Sequence, residues 1–175
     1  MKHFAAAAVS AIILTATGAS AHSTLAEKDV TQGAASRLTL RIPHGCGAEA
    51  TLRVRIQIPA GMVSVKPMPK ANWKLDITSG PYDASYMLNG AEISEGVREL
   101  KWTGELPDAH YDEFVFQATV SEHIEPGTKL YIPAVQECAT GSERWIEIPA
   151  EGEEGHDLAR PAPGVMVMPA GAHRH

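Results

Sequence analysis

Residues 51–59, Thr-Leu-Arg-Val-Arg-Ile-Gln-Ile-Pro, alternate polar and apolar side chains without a break. A period of two fits a pleated strand with one buried face; a helix would need apolar residues every three or four positions. Residues 36–43 repeat the pattern, with Leu38, Leu40 and Ile42 on the apolar side. Residues 63–69 and 73–77 are short and extended, and Pro67 and Pro69 bar a helix through the first of them. The short, β-leaning residues 23–25 together with 99–103, 112–120, 129–136 and 145–149 bring the count to about nine strands. Between them lie the turn signals His44-Gly45-Cys46-Gly47, Gly80-Pro81, Asn89-Gly90 and Leu106-Pro107-Asp108. No stretch has helical periodicity. The expected fold is all-β, an antiparallel β-sandwich.

The start of the chain has a different character. Met1-Lys2-His3 is short and basic, residues 4–16 are an apolar run, and Ala19-Ser20-Ala21 offers small residues for cleavage. The run is roughly half to two-thirds of a membrane-spanning length, so residues 1–21 read as a secretory signal peptide. Cleavage after Ala21 would leave His22 first, with a free α-amine. That amine and Nδ1 of the same imidazole can close one chelate ring around a metal ion. An internal histidine cannot do this, because its backbone nitrogen is an amide.

The mature chain of about 150 residues is one domain of ordinary size. Its charge is 14 − 21 = −7, since the signal removes one of 15 Lys and Arg and none of 21 Asp and Glu. A mildly acidic chain with no basic block argues against nucleic acid and anionic membranes as partners. No later stretch is long and apolar enough to span a bilayer. The two cysteines, Cys46 and Cys138, default to one disulfide in an exported protein. It would close a loop of about 90 residues and stabilise by about 4 kcal/mol. A pair of thiolate ligands for a soft metal is the alternative. Residues 22–150 form the expected domain. Residues 151–175, rich in Glu, Pro and Gly, read as a flexible tail.

Several motifs in order resemble one family. They are Pro43-His44-Gly45-Cys46, Lys66-Pro67-Met68-Pro69-Lys70, Gly80-Pro81-Tyr82, Glu95-Gly96-Val97, Leu106-Pro107-Asp108 with His110-Tyr111-Asp112-Glu113-Phe114, Val135-Gln136-Glu137-Cys138, and Arg144-Trp145-Ile146-Glu147-Ile148-Pro149. The chain is similar over residues 22–149 to the YcnI-like copper-binding domains. The resemblance implies an exported, cupredoxin-like or immunoglobulin-like sandwich that binds Cu(II) through a single-histidine brace. Such a brace pairs the N-terminal histidine with a carboxylate and an auxiliary tryptophan. Carried over residue by residue, these are His22, Glu113 and Trp145. Asp29, eighth in the mature chain where the family would carry Glu, is a shorter alternative to Glu113.

The chemistry fits those residue types. Cu(II) prefers tetragonal nitrogen and oxygen donors. An amine and an imidazole supply two adjacent positions, and a carboxylate neutralises charge. Trp145, a poor σ donor, would shield an axial face. On residue type alone Trp145 reads as a core aromatic, and Glu113 as a solvated strand-end carboxylate. His44 and His110 read as turn or rim residues. Met62, Met68 and Met87 read as packing, Met166 and Met168 as tail. The function expected is a periplasmic Cu(II)-binding protein, not an enzyme, serving copper trafficking or buffering with another periplasmic copper chaperone as a partner. The alternatives are a metal-free envelope interaction module and a copper-dependent oxidative enzyme acting on glycans. Intact mass spectrometry of the exported protein should give a chain beginning at His22; any other first residue removes the chelate.

Overall fold

The computed structural model describes residues 22–150 and 157–171. The signal at residues 1–21, the acidic segment 151–156 and the tail histidines His173 and His175 lie outside the described residues. In chain order the strands are β1 (Thr24–Leu25), β2 (Asp29–Thr31), β3 (Ala35–Ile42), β4 (Thr51–Gln57), β5 (Met62–Pro67) and β6 (Lys74–Leu88). They continue with β7 (Ala91–Leu106), β8 (Asp112–Val120), β9 (Lys129–Tyr131), β10 (Ala134–Glu137), β11 (Ser142–Trp145) and β12 (Gly164–Met168). One sheet has the order β1-β3-β8-β5, a second β11-β10-β4-β7-β6, and a small third β2-β12-β9. All pairings are antiparallel except β2 with β12.

The alternation read from the sequence decides which faces meet. Leu38, Leu40 and Ile42 of β3 and Val54 and Ile56 of β4 are buried together with Trp102, Phe114 and Phe116 in one core. Each such side chain contributes about 1.5–3 kcal/mol by leaving water. The expected strand at 112–120 is β8 itself, and the long β6–β7 hairpin turns at Asn89-Gly90. Both turn residues have positive φ, 50° and 80°. That is the two-residue turn whose twist suits a hairpin, and Asn and Gly adopt it most readily.

Three expectations are corrected. Gly80-Pro81 is not a turn: Gly80 pairs with Gly96 and Pro81 with Glu95 inside the ladder. Strand β6 is an edge, so a residue with no N–H is tolerated there. Residues 129–136 are not one strand, because Pro133 separates β9 from β10 and the two join different sheets. The strand expected at 145–149 ends at Trp145, where the N–H of Ile146 folds back onto the carbonyl of Arg144 at 2.9 Å.

The tail expected at 151–175 is corrected as well. Within residues 157–171, Val165 and Val167 of β12 are fully buried. Their N–H groups bond across the small sheet, Val167 to the carbonyl of Thr128 at 2.9 Å. Alternation in Gly164-Val165-Met166-Val167-Met168 was masked by the prolines and glycines around it. The expected disulfide joins Cys46 and Cys138, 92 residues apart, tying the β3–β4 loop to the β10–β11 turn.

Truncation after residue 160 should lower unfolding free energy by on the order of 4 kcal/mol, from the two lost valines alone. Urea titration checks this; a midpoint equal to that of the full chain would restore the tail assignment.

Candidate metal centre

Pairing with β3 fixes the segment after His22. Thr24 faces Arg41 and Leu25 faces Leu40. The hydroxyl of Ser23, buried to 3% exposure, donates to the carbonyl of Arg41 at 3.0 Å. The N–H of Ala26 donates to the carbonyl of Thr39 at 2.9 Å. His22 itself is exposed. Its imidazole meets the indole of Trp145 edge-on, with ring centroids 5.9 Å apart and planes at 61°. Two of the three expected site residues, far apart in sequence, therefore come together.

Trp145 is 2% exposed and closes β11. Its Nε1–H donates to Oε1 of Gln136 at 3.4 Å. The other end of that amide donates to the carbonyl of His44 and to Oγ1 of Thr51. Gln136 and Thr51 are both fully buried. The indole N–H is committed inward, which leaves the ring edge for His22. The sequence contained Gln136 in the Val-Gln-Glu-Cys motif, but nothing distinguished it from a solvated strand residue.

His22 lines an open cleft of about 520 Å³ with Glu27, Lys28, Lys129 and Tyr131 over a floor that includes Pro149 and Pro163. Trp145 also walls a smaller cavity of about 250 Å³ with His44, Glu143 and Arg160. Glu113 lines neither. It sits on β8, level with Arg41, whose Nε donates to its carboxylate at 3.1 Å. With β3 lying between β1 and β8, Glu113 is about 10 Å across the sheet from the level of Thr24. The structure does not bring it to His22, and its charge is already met by Arg41. Asp29 lies on β2, half-buried, in register with Met166. The carboxylate that shares the His22 cleft is Glu27, an unforeseen neighbour. Its oxygens accept from the N–H and hydroxyl of Thr39 at 2.7 and 3.0 Å, and Arg37 stands 3.6 Å away.

Among the described residues no three His, Cys, Asp or Glu side chains converge. His22 brings one exposed imidazole to the cleft.

The loop carrying Cys46 is held from a second side. The carboxylate of Glu49 accepts from the N–H and hydroxyl of Thr140, and these bonds hold its pKa below the ordinary glutamate value. A carboxyl whose folded pKa is depressed stabilises above its unfolded pKa, and the gain is lost as pH falls through the folded value. Thermal midpoints of wild type and Glu49→Gln should therefore differ at pH 7 and converge as acidification passes below the ordinary glutamate range; a pH-independent gap would remove the carboxylate from the account. Gln136→Leu should leave Trp145 Nε1, Thr51 and the His44 carbonyl without this partner. A loss of about 1–3 kcal/mol per orphaned buried group is expected in denaturant titration.

Residues 22–167 match the family model described as "Domain of unknown function (DUF1775)". The match begins at His22 and runs into β12. A solved structure of an uncharacterized protein from Nocardia farcinica, reported to have an immunoglobulin-like fold, aligns with TM-score 0.61 at 20% identity. The alignment covers 84% of this chain and 98% of that one, and it establishes the immunoglobulin-like fold. No curated protein matches the chain.

Proposed function

We propose that this chain, which belongs to the DUF1775 family, binds Cu(II) through the α-amine and imidazole Nδ1 of a mature N-terminal His22. The YcnI-like family of the sequence resemblance is this same family. On this reading the protein is exported, works in the periplasm, and carries or buffers copper for another periplasmic copper chaperone. The observation that carries it is the imidazole of His22 held 5.9 Å from a buried indole at the point where the family match begins.

The physical argument is one of preorganisation. Strand β1 is pinned to β3 immediately after His22, so one side chain and one terminus offer two nitrogens from a fixed position. Two nitrogens on one residue suit the tetragonal preference of Cu(II). Trp145 has its N–H bound to Gln136, so it acts as a wall against the imidazole and not as a nitrogen donor. Glu27 adds negative charge to the cleft while staying bonded to Thr39. Tyr131 is the one Phe, Tyr or Trp among the described lining residues, so the cleft offers no broad aromatic platform for a glycan. This favours a carrier over an oxidative enzyme. The disulfide accords with an oxidising compartment.

Calorimetry on mature protein beginning at His22 should give one Cu(II) per chain. Adding a single glycine before His22 should weaken binding by about 100-fold or more, since it turns the amine into an amide. Tight binding retained by the extended protein would contradict the brace. Below the amine pKa of about 7.7–8.0, affinity should rise roughly tenfold per pH unit as one proton is displaced.

A further inference from the structure

We propose that the outer face of the β11-β10-β4-β7-β6 sheet docks a protein partner that presents carboxylates around an apolar side chain. Val54, Ile56, Leu100 and Trp102 turn to the core, so Arg53, Arg55, Glu99 and Lys101 turn outward. One register row crosses all five strands as Arg144, Val135, Arg55, Lys101 and Asp76. It carries three cations and one anion, 3 − 1 = +2. The rows on either side add Arg53 and Lys74 against Glu137 and Glu99, which cancel. The mature chain as a whole carries 14 − 21 = −7. A positive strip on an acidic chain is the place to which a partner's carboxylates are steered.

Most of these charges already satisfy one another. Arg55 spans Glu137 and Glu99 at 2.8 and 3.3 Å, and Arg53 meets Glu137 at 3.2 Å. Asp76 takes Lys74 and Lys101 at 3.0 and 3.5 Å. The guanidinium of Arg144 differs: it has no hydrogen-bond or ion-pair partner among the described residues. It lines a cavity of about 350 Å³ together with Arg55, Pro133, Val135 and Ile146. Two guanidinium groups and three apolar side chains in one cavity fit an apolar anchor with a carboxylate beside it. Arginine holds such a carboxylate through two parallel N–H bonds.

The apolar part of the face extends past the cavity. Ile146 is 37% exposed and Ile148 54%. Fraying does not explain this, because Glu147 between them is tied down. Its N–H donates to the carbonyl of Arg160 at 3.1 Å, and its own carbonyl accepts from the N–H of Ala162 at 2.8 Å. Its carboxylate accepts from the N–H of Arg160 at 2.8 Å. The backbone therefore holds two isoleucines out in water beside an unpaired arginine. An apolar centre with a charged rim and an available arginine is the anatomy of a protein interface. A polyanion such as nucleic acid would meet Glu99, Glu137 and Asp76 among the cations. The same segment continues to Pro149, which lines the His22 cleft. None of the residues on this face is a donor in the Cu(II) reading, so the two proposals fail separately.

The test is a nuclear magnetic resonance titration of nitrogen-15-labelled protein with a short blocked peptide, a central leucine flanked by glutamates. Amide shifts should concentrate around Arg55, Arg144, Ile146 and Ile148, with a dissociation constant below about 1 mM that rises with salt. Arg144→Glu and Ile148→Asp should each weaken binding by about tenfold or more, with the rest of the spectrum unchanged. The same peptide with lysine for glutamate should leave this face unshifted. No binding, shifts confined to other parts of the chain, or equal binding by Arg144→Glu or by the lysine peptide overturns the docking face. Phosphatidylglycerol vesicles that broaden these resonances in wild type but not in Arg144→Glu would make it a lipid site and overturn the protein partner. If Ile148→Asp fails to fold, Arg144→Glu decides, since its side chain is exposed.

Discussion

The side-chain amide of Gln136 has no access to water, so its hydrogen bonds must be met inside the protein. It meets them by joining three separate segments: the indole of Trp145 at the end of β11, the carbonyl of His44 in the β3–β4 loop, and the hydroxyl of Thr51 at the start of β4. A buried amide of this kind has few alternative arrangements, because every shift orphans a group. The disulfide closes the same end of the sandwich covalently. Together they make the wall against which His22 rests, so the site inherits its rigidity from the core and not from loops.

Much of the fold was legible because the period-two signal and the burial signal coincide. In β3, β4 and β8 the apolar residues face the partner sheet, and the turns carry glycine, asparagine or proline. Reading failed where composition and periodicity disagreed. The Pro-Ala-Pro-Gly run before β12 looked like linker, yet Val165 and Val167 behind it are core. Pro81 looked like a breaker, yet an edge strand has a free side on which a missing N–H costs little. Pro133 was passed over inside an apolar run, although a missing donor there is what divides β9 from β10.

The site divides in the same way. His22 was singled out because the proposed chemistry depends on its position after the expected cleavage signal. Trp145 was singled out through the resemblance, and the structure sets its ring beside that of His22. Glu113 was not legible in the right sense, because a carboxylate's partner is set by the neighbouring strand. Only the pairing of β3 with β8 reveals that Arg41 holds it. Gln136 and Glu27 escaped for the complementary reason. Both resemble ordinary surface residues in sequence, and only three-dimensional pairing turns one into a core tie and the other into a cleft wall.

The central claim is that export makes a metal donor out of a backbone nitrogen and that β1 and Trp145 hold it in place. A crystal structure of the mature protein grown with one equivalent of Cu(II) tests it most directly. The account predicts a single metal bonded to both the terminal nitrogen and Nδ1 of His22, with the Trp145 ring alongside. Metal found only elsewhere on the chain, or a terminal nitrogen that points away from it, would contradict the account.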